Sequence, residues 1–308
     1  MKTTLQPNSS VSEQIQEILH NRIDSCRQAL HAANPHQGIH DARKQLKKIR
    51  SVVRIVREDI PKEQYQRINT YFRDVGRMLS DARDTSALLD VVMTLHGQVE
   101  APEVKKLLER VVHYFMAKKA AVTRYQINRD QLLQQTLRAF VPAEEYIQPL
   151  NIRHDGFSAL AASILKVYQR GQQMKDESRK NPNPETYHEW RKRVKYLRYQ
   201  VNMLSPMWPP MMNALEDELH ELTDALGADH DLYMLHETIL HSNLKEEEDW
   251  SPLFHFISTQ RKRQEIRAHT LGKKLYYWKP SHFVGWLQAS WSACQLVEPA
   301  QEESLIAV

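Results

Sequence analysis

The stretch HDARKQLKKIRSVVRIVREDIP, His40–Pro61, is matched 148 residues later by HEWRKRVKYLRYQVNMLSPMWP, His188–Pro209. That offset carries His40 onto His188, Arg43 onto Arg191, Lys44 onto Lys192, Lys47 onto Lys195, Arg50 onto Arg198 and Pro61 onto Pro209. Farther on, LSDARDTSALL from Leu79 resembles LGADHDLYML from Leu226, which sets Asp84 against Asp231 at an offset of 147. Register kept to within one residue across a second segment marks an internal duplication. The chain reads as two copies of one helical unit, residues 10–141 and 156–296. Between them 142–155, with Pro142 and Pro149, reads as a linker. The end, 297–308, reads as a frayed, disordered tail.

Each copy has the pattern of helices. Ala42, Leu46, Ile49, Val53 and Val56 recur at helical spacing, as do Ile15, Ile18, Leu19, Ile23 and Cys26. Ser10 and Glu13 have the spacing of a capping box, Asn183–Pro184 and Ser251–Pro252 read as helix starts, and Pro61 ends one helix and opens another. Only eight of 308 residues are glycine, against roughly 7% in average proteins. No bounded run of period-two alternation reads as a strand. The expectation is an all-α fold with about four substantial helices in each half, arranged as two four-helix bundles.

On the first of these helices His40, Arg43, Lys47, Arg50, Arg54 and Arg57 follow at steps of three and four, so cations occupy one side for about 26 Å. From 42 to 57 there is no acid, and Lys44 and Lys48 add to the charge. Cations about 6 Å apart repel by roughly 0.7 kcal/mol per pair even in water. A helix that needs only solubility intersperses acids. A bound polyanion converts the repulsion into charge-assisted hydrogen bonds of roughly 1.5–3 kcal/mol each. The competing reading is a solvated face balanced by a neighbouring acidic helix carrying Glu216, Glu218, Glu221 and Asp224. Two helices with the same His-x-x-Arg-Lys-x-x-Lys-x-x-Arg pattern favour the polyanion.

The net charge of +4 does not by itself identify such a partner. Cys26 and Cys294 form no CxxC, and no stretch approaches the roughly 18 apolar residues of a membrane span. With no apolar signal core at the N-terminus, the expectation is a cytoplasmic protein with no membrane association. No P-loop, GxSxG or HExxH is present, so catalysis is not expected; a phosphohistidine at His40 or His188 is the enzymatic alternative. No cofactor or metal is expected: His36 and His40 stand four apart, but with Gly38 between them near Pro35, and Asp81, Asp84, Asp229 and Asp231 read as caps or partners of cations. Nucleic acid is the alternative polyanion, because its backbone term is the same physics. Single-strand binders add aromatics; Tyr187, Trp190, Tyr196 and Tyr199 flank the second stripe and none lies between 39 and 57. Trp190 and Tyr199 fit a core equally well.

The doubled pattern resembles the CHAD family, the conserved histidine α-helical domain. The residues that carry the resemblance are His40, Arg43, Lys47, Lys48 and Arg50, then His188, Arg191, Lys192, Lys195 and Arg198, with Arg83–Asp84 similar to a second helical signature. The resemblance covers nearly the whole chain as a single domain. It implies two four-helix bundles about a pseudo-two-fold axis, basic helices lining a shared groove or cavity, and binding of inorganic polyphosphate, which opens the prospect of association with polyphosphate granules. The residues expected to bind are those of the two stripes, with Lys44 and Arg54; further cations come from Arg83, Lys118, Lys119, Arg261 and Arg263. Tyr196 stands where a second basic residue is common, and His230 replaces Arg before Asp231. Both weaken the charge of the second half, so the first is expected to contribute more affinity. Polyphosphate, a baseless linear anion, needs a track of Arg, Lys and protonatable His.

Overall fold

The computed structural model describes residues 3–246 and 248–296, and among them every regular element is a helix. The first half contains α1 (Val11–Leu30), α2 (Pro35–Ile55), α3 (Lys62–Met78), α4 (Ser80–Gln98) and α5 (Pro102–Val122), then a π-helical turn at Thr123–Arg129 and α6 (Leu132–Phe140). A single turn, α7 (Ala143–Tyr146), leads to α8 (Ser158–Lys180), α9 (Pro184–Met203), α10 (Pro209–Leu240), α11 (Ser251–Leu275) and α12 (Pro280–Leu296). Consecutive helices pack in pairs, α1 on α2, α2 on α3, α4 on α5, α8 on α9, α9 on α10 and α10 on α11. None of the described helices is long and apolar enough to cross a membrane. The expected tail at 297–308 lies outside the described residues.

Local chemistry explains where the helices start. Asn34 accepts the backbone N–H groups of His36 and Gln37, and Pro35 occupies the first turn of α2. Asn183 and Thr186 form a reciprocal capping box at α9. Ser10 does precede α1, but its side chain makes no cap bond. The first N–H of that helix, on Val11, donates instead to Asp155 Oδ1 at 2.7 Å, a cap delivered from 144 residues away. Ser251 also differs from expectation: it is the first residue of α11, and its N–H is taken by Asp249 Oδ1. The apolar stripe of α2 is buried as its spacing predicts, with Ala42, Leu46, Ile49 and Val53 inside and Val56 just past the helix end.

The apolar interior divides into two clusters that run across the sequence halves instead of one within each. The larger gathers α1, α2, α3, α6, α8, α9, α12 and the first part of α10. The smaller gathers most of α4 and α5, the last part of α10 and the first part of α11. The division follows from α4 packing on α10 and α5 on α11, helices drawn from opposite halves. Residues 142–155 form no loose tether either. Ala143, Ile147 and Leu150 are buried in the larger cluster, and the buried Asp59 carboxylate accepts the N–H groups of Arg153 and His154 and pairs with His154 Nδ1 at 2.6 Å.

Candidate functional site

Where α2 packs against α9, a cavity of about 680 Å³ opens, walled further by α4, α10 and α11. From α2 come His40, Arg43, Lys44 and Lys47; from α9, Arg191, Lys195, Arg198 and Tyr199; from α4, Arg83. Seven Lys and Arg side chains face three carboxylates, Asp90, Asp224 and Asp231. Eight of the residues expected from sequence are thus brought together.

Each cation is held in a particular way. Arg43 Nη1 donates to Gly76 O and to Ser80 Oγ, both at 2.6 Å, so its guanidinium bridges the end of α3 and the start of α4. Arg191 lies close over α10 at Gly227, where a Cβ would come within 3.3 Å of Arg191 Nη2. Its Nε is buried without a hydrogen-bond partner. Arg198 pairs with Glu216 at 2.5 Å. Of the four acids proposed to neutralise the stripes, this is the one that pairs with a stripe cation among the described residues; Glu221 pairs with Arg267, and Asp224 with His220. Arg83 lies 3.8 Å from Asp90.

Lys47 and Lys195 are the most perturbed of these groups. Burial first, then Arg43 and Arg191, lowers Lys47 from 10.5 to about 8. Burial, then Arg191 and Lys47 itself, lowers Lys195 to about 7. Lys47 is exposed by surface area, but that surface lines the cavity, so protein surrounds the ammonium and the enclosure governs its proton affinity. His40 is lowered by burial and by Arg83.

The other expected residues lie elsewhere, for geometric reasons. Lys48 turns to a small depression beside Arg22 and Tyr199. Arg50 donates to Asn69 Oδ1 and lines a neighbouring pocket with Arg73 and Arg77. Arg54 is buried over the ring of Tyr196, 3.7 Å from its centroid. Lys192 is paired with Glu189. His188 is half-buried against His230, and burial first, then His230, pushes it to about 4, so it is neutral at physiological pH and does not gain charge near 6.5. Lys119 borders an adjoining pocket with His36 and His40, whereas Lys118 is exposed near Tyr114. Arg261 is bound to Asp229 at 2.9 Å, and Arg263 is exposed away from the cavity. His36 and His40 do share a helix, because α2 begins at Pro35; His36 is engaged by Thr123 and Ser86. Trp190 is core. Sequence reasoning missed Thr94, Gln98, Gln260 and Gln264, neutral donors in the lining with no periodic signal.

These features define the class: a helical domain in which two sequence-related basic helices face one cavity. The sequence profile of the CHAD domain matches residues 11–240, and the chain belongs to the CHAD family. Among solved structures it is similar to PptA from Streptomyces chartreusis, with a TM-score of 0.54 at 11% identity, covering 92% of this chain and 100% of that one. It is also similar to the CHAD domain from the plant Ricinus communis, with a TM-score of 0.52 at 14% identity and 95% of each chain covered. At these identities the likeness is one of fold. No curated protein matches the sequence.

Proposed function

We propose that the protein binds inorganic polyphosphate in the cavity between α2 and α9, without catalysis. The observation that carries this reading is the cavity lining itself, where Arg43, Lys47, Arg191 and Lys195 converge from the two helices: burial and then Arg43 and Arg191 lower the proton affinity of Lys47, and burial and then Arg191 and Lys47 lower that of Lys195. Such a group of cations is repulsive when empty, and a polyanion relieves it. Equivalent positions of the two halves, Arg43 with Arg191 and Lys47 with Lys195, supply the grip, in keeping with a pseudo-two-fold site. Membership of the CHAD family supports the same ligand. Tyr199 is the one Phe, Tyr or Trp among the lining residues described, which suits an anion without bases better than a stacked single strand. We place the protein in the cytoplasm, where Cys26 and Cys294 remain free thiols, and at polyphosphate granules. A fluorescent fusion that stays diffuse while stained granules are present would count against the granule assignment.

The test is calorimetric titration with long-chain polyphosphate, competed by single-stranded RNA of equal charge at two salt concentrations. Polyphosphate binding that RNA does not displace supports the proposal. Equal competition with one shared, steep salt slope means a generic polyanion surface.

A further inference from the structure

Arg54 marks a second cationic place, behind the α2–α9 contact, that shares no lining residue with the central cavity. There the C-terminal end of α2, α8 and α9 surround a shallow depression of about 20 Å³. Arg54, Arg57, Lys166, Arg170 and Arg193 line it, against the single carboxylate of Glu58. Glu58 pairs with Lys166 and, at 3.5 Å, with Arg57, while Arg193 has Glu189 at 3.2 Å. Among the described residues neither Arg54 nor Arg170 forms an ion pair. The positive charge is therefore only partly compensated.

Three details turn this excess into a shaped site. The guanidinium of Arg54 lies over one ring, Tyr196, with the Arg193 guanidinium 5.9 Å from the same centroid, so the phenol holds two cations together. Arg193 Nε is buried with no hydrogen-bond partner. Ser163, buried in the lining, accepts the N–H of Glu58 at 2.9 Å through its hydroxyl, which leaves the hydroxyl proton to donate.

The other half shows that the fold does not require this arrangement. At the offset of 148, Arg170 corresponds to Arg22 and Arg193 to Gln45. In that half Arg22 simply donates to Gln45 Oε1 at 3.3 Å. Tyr196 corresponds to Lys48 and Arg54 to Asn202, so one depression gathers arginines and its counterpart does not.

We propose that this depression is a second anion site, for a single phosphoryl group. The depression has room for about one water-sized atom, so one oxygen of a tetrahedral group enters it while the rest of the group stays at its mouth, where forked guanidinium donors match the remaining oxygens. The proposal does not depend on what fills the central cavity. The experiment is side-chain Nε–Hε NMR of the full chain, following Arg193 during titration with orthophosphate and, separately, pyrophosphate. A saturable shift with orthophosphate is expected, and Arg170→Glu, at an exposed position, should weaken it at least tenfold while leaving affinity for long-chain polyphosphate within twofold. Arg57→Glu should act in the same direction, which guards against a folding defect particular to one variant. The proposal is overturned if orthophosphate gives no saturable shift, if only pyrophosphate does, if both variants bind unchanged, or if Arg170→Glu removes long-chain binding to the same extent.

Discussion

Filling the cavity with polyphosphate should draw protons from solution, in an amount set by two lysines. With Lys195 near 7 and Lys47 near 8, the empty site at pH 7.5 carries about one proton between them, and an anion that restores both toward 10.5 makes the total about two. Through these two lysines binding should take up about one proton at pH 7.5, about 0.1 at pH 6 and about 1.7 at pH 8.5, and His40, also held below 6.5 in the same cavity, adds to the uptake toward pH 6. The sign follows from the depressed values: as pH rises through 7 and 8 the free site loses charge that the complex keeps, so affinity falls. Integrated from pH 6 to 8.5, the loss is about 100-fold. Calorimetry in buffers of different ionisation enthalpy at one pH measures the uptake directly, and long chains keep the contribution of end groups small. Lys47→Arg with Lys195→Arg should lose the lysine share of the uptake and most of the pH dependence above pH 7.5, since guanidinium stays protonated throughout and only the His40 contribution at lower pH remains. Tight binding by the unaltered protein with no proton uptake at pH 7.5 would refute the assignment of these lysines to the site.

Replacing both lysines by glutamate should abolish polyphosphate binding while the melting temperature holds or rises, because the change removes like-charge repulsion; preserved binding in calorimetry would contradict the site. Asn183→Ala should lower stability by about 1–2 kcal/mol and Asp155→Ala by about 1, whereas Ser10→Ala should be near neutral, all by urea denaturation. Gly272→Ala places a Cβ 2.6 Å from the buried Trp190 ring and should destabilise by about 1–3 kcal/mol, measured by the same method.

The apolar spacing on α2 and the cap at Asn183 were legible because both are local: helix period and first-turn hydrogen bonds need no partner. The arrangement of the interior was not. Nothing in the sequence near Leu89 or Leu232 says that α4 packs on α10 and α5 on α11, and that tertiary choice splits the core across the halves. For the cavity, the repeat pointed to Arg43 with Arg191 and Lys47 with Lys195, and all four line one cavity because those positions lie where the two helices meet. It failed farther along, because neighbouring helices meet over a limited length while a charge stripe continues. Arg54, two turns beyond Lys47, falls behind the contact and onto Tyr196. Lys48 and Lys192 are each one residue from a lining position, a rotation of about 100° that turns Lys48 toward Tyr199 and Lys192 toward Glu189.

The walls of the cavity differ mechanically. On one side α10 runs unbroken for 32 residues, Pro209–Leu240, about 48 Å, with Met212 in the larger cluster, Ile239 in the smaller, and Asp224, Gly227 and Asp231 facing the cavity between. On the other side the matching stretch is jointed, α3 stopping at Met78 and α4 starting at Ser80. The pin of that joint is Arg43, bonded to Gly76 on one arm and Ser80 on the other. A beam faces an articulated arm, and the side chain that locks the arm also lines the cavity with its charge. An anion that recruits Arg43 therefore competes with the lock, so filling the cavity and setting the angle between α3 and α4 are governed by the same guanidinium.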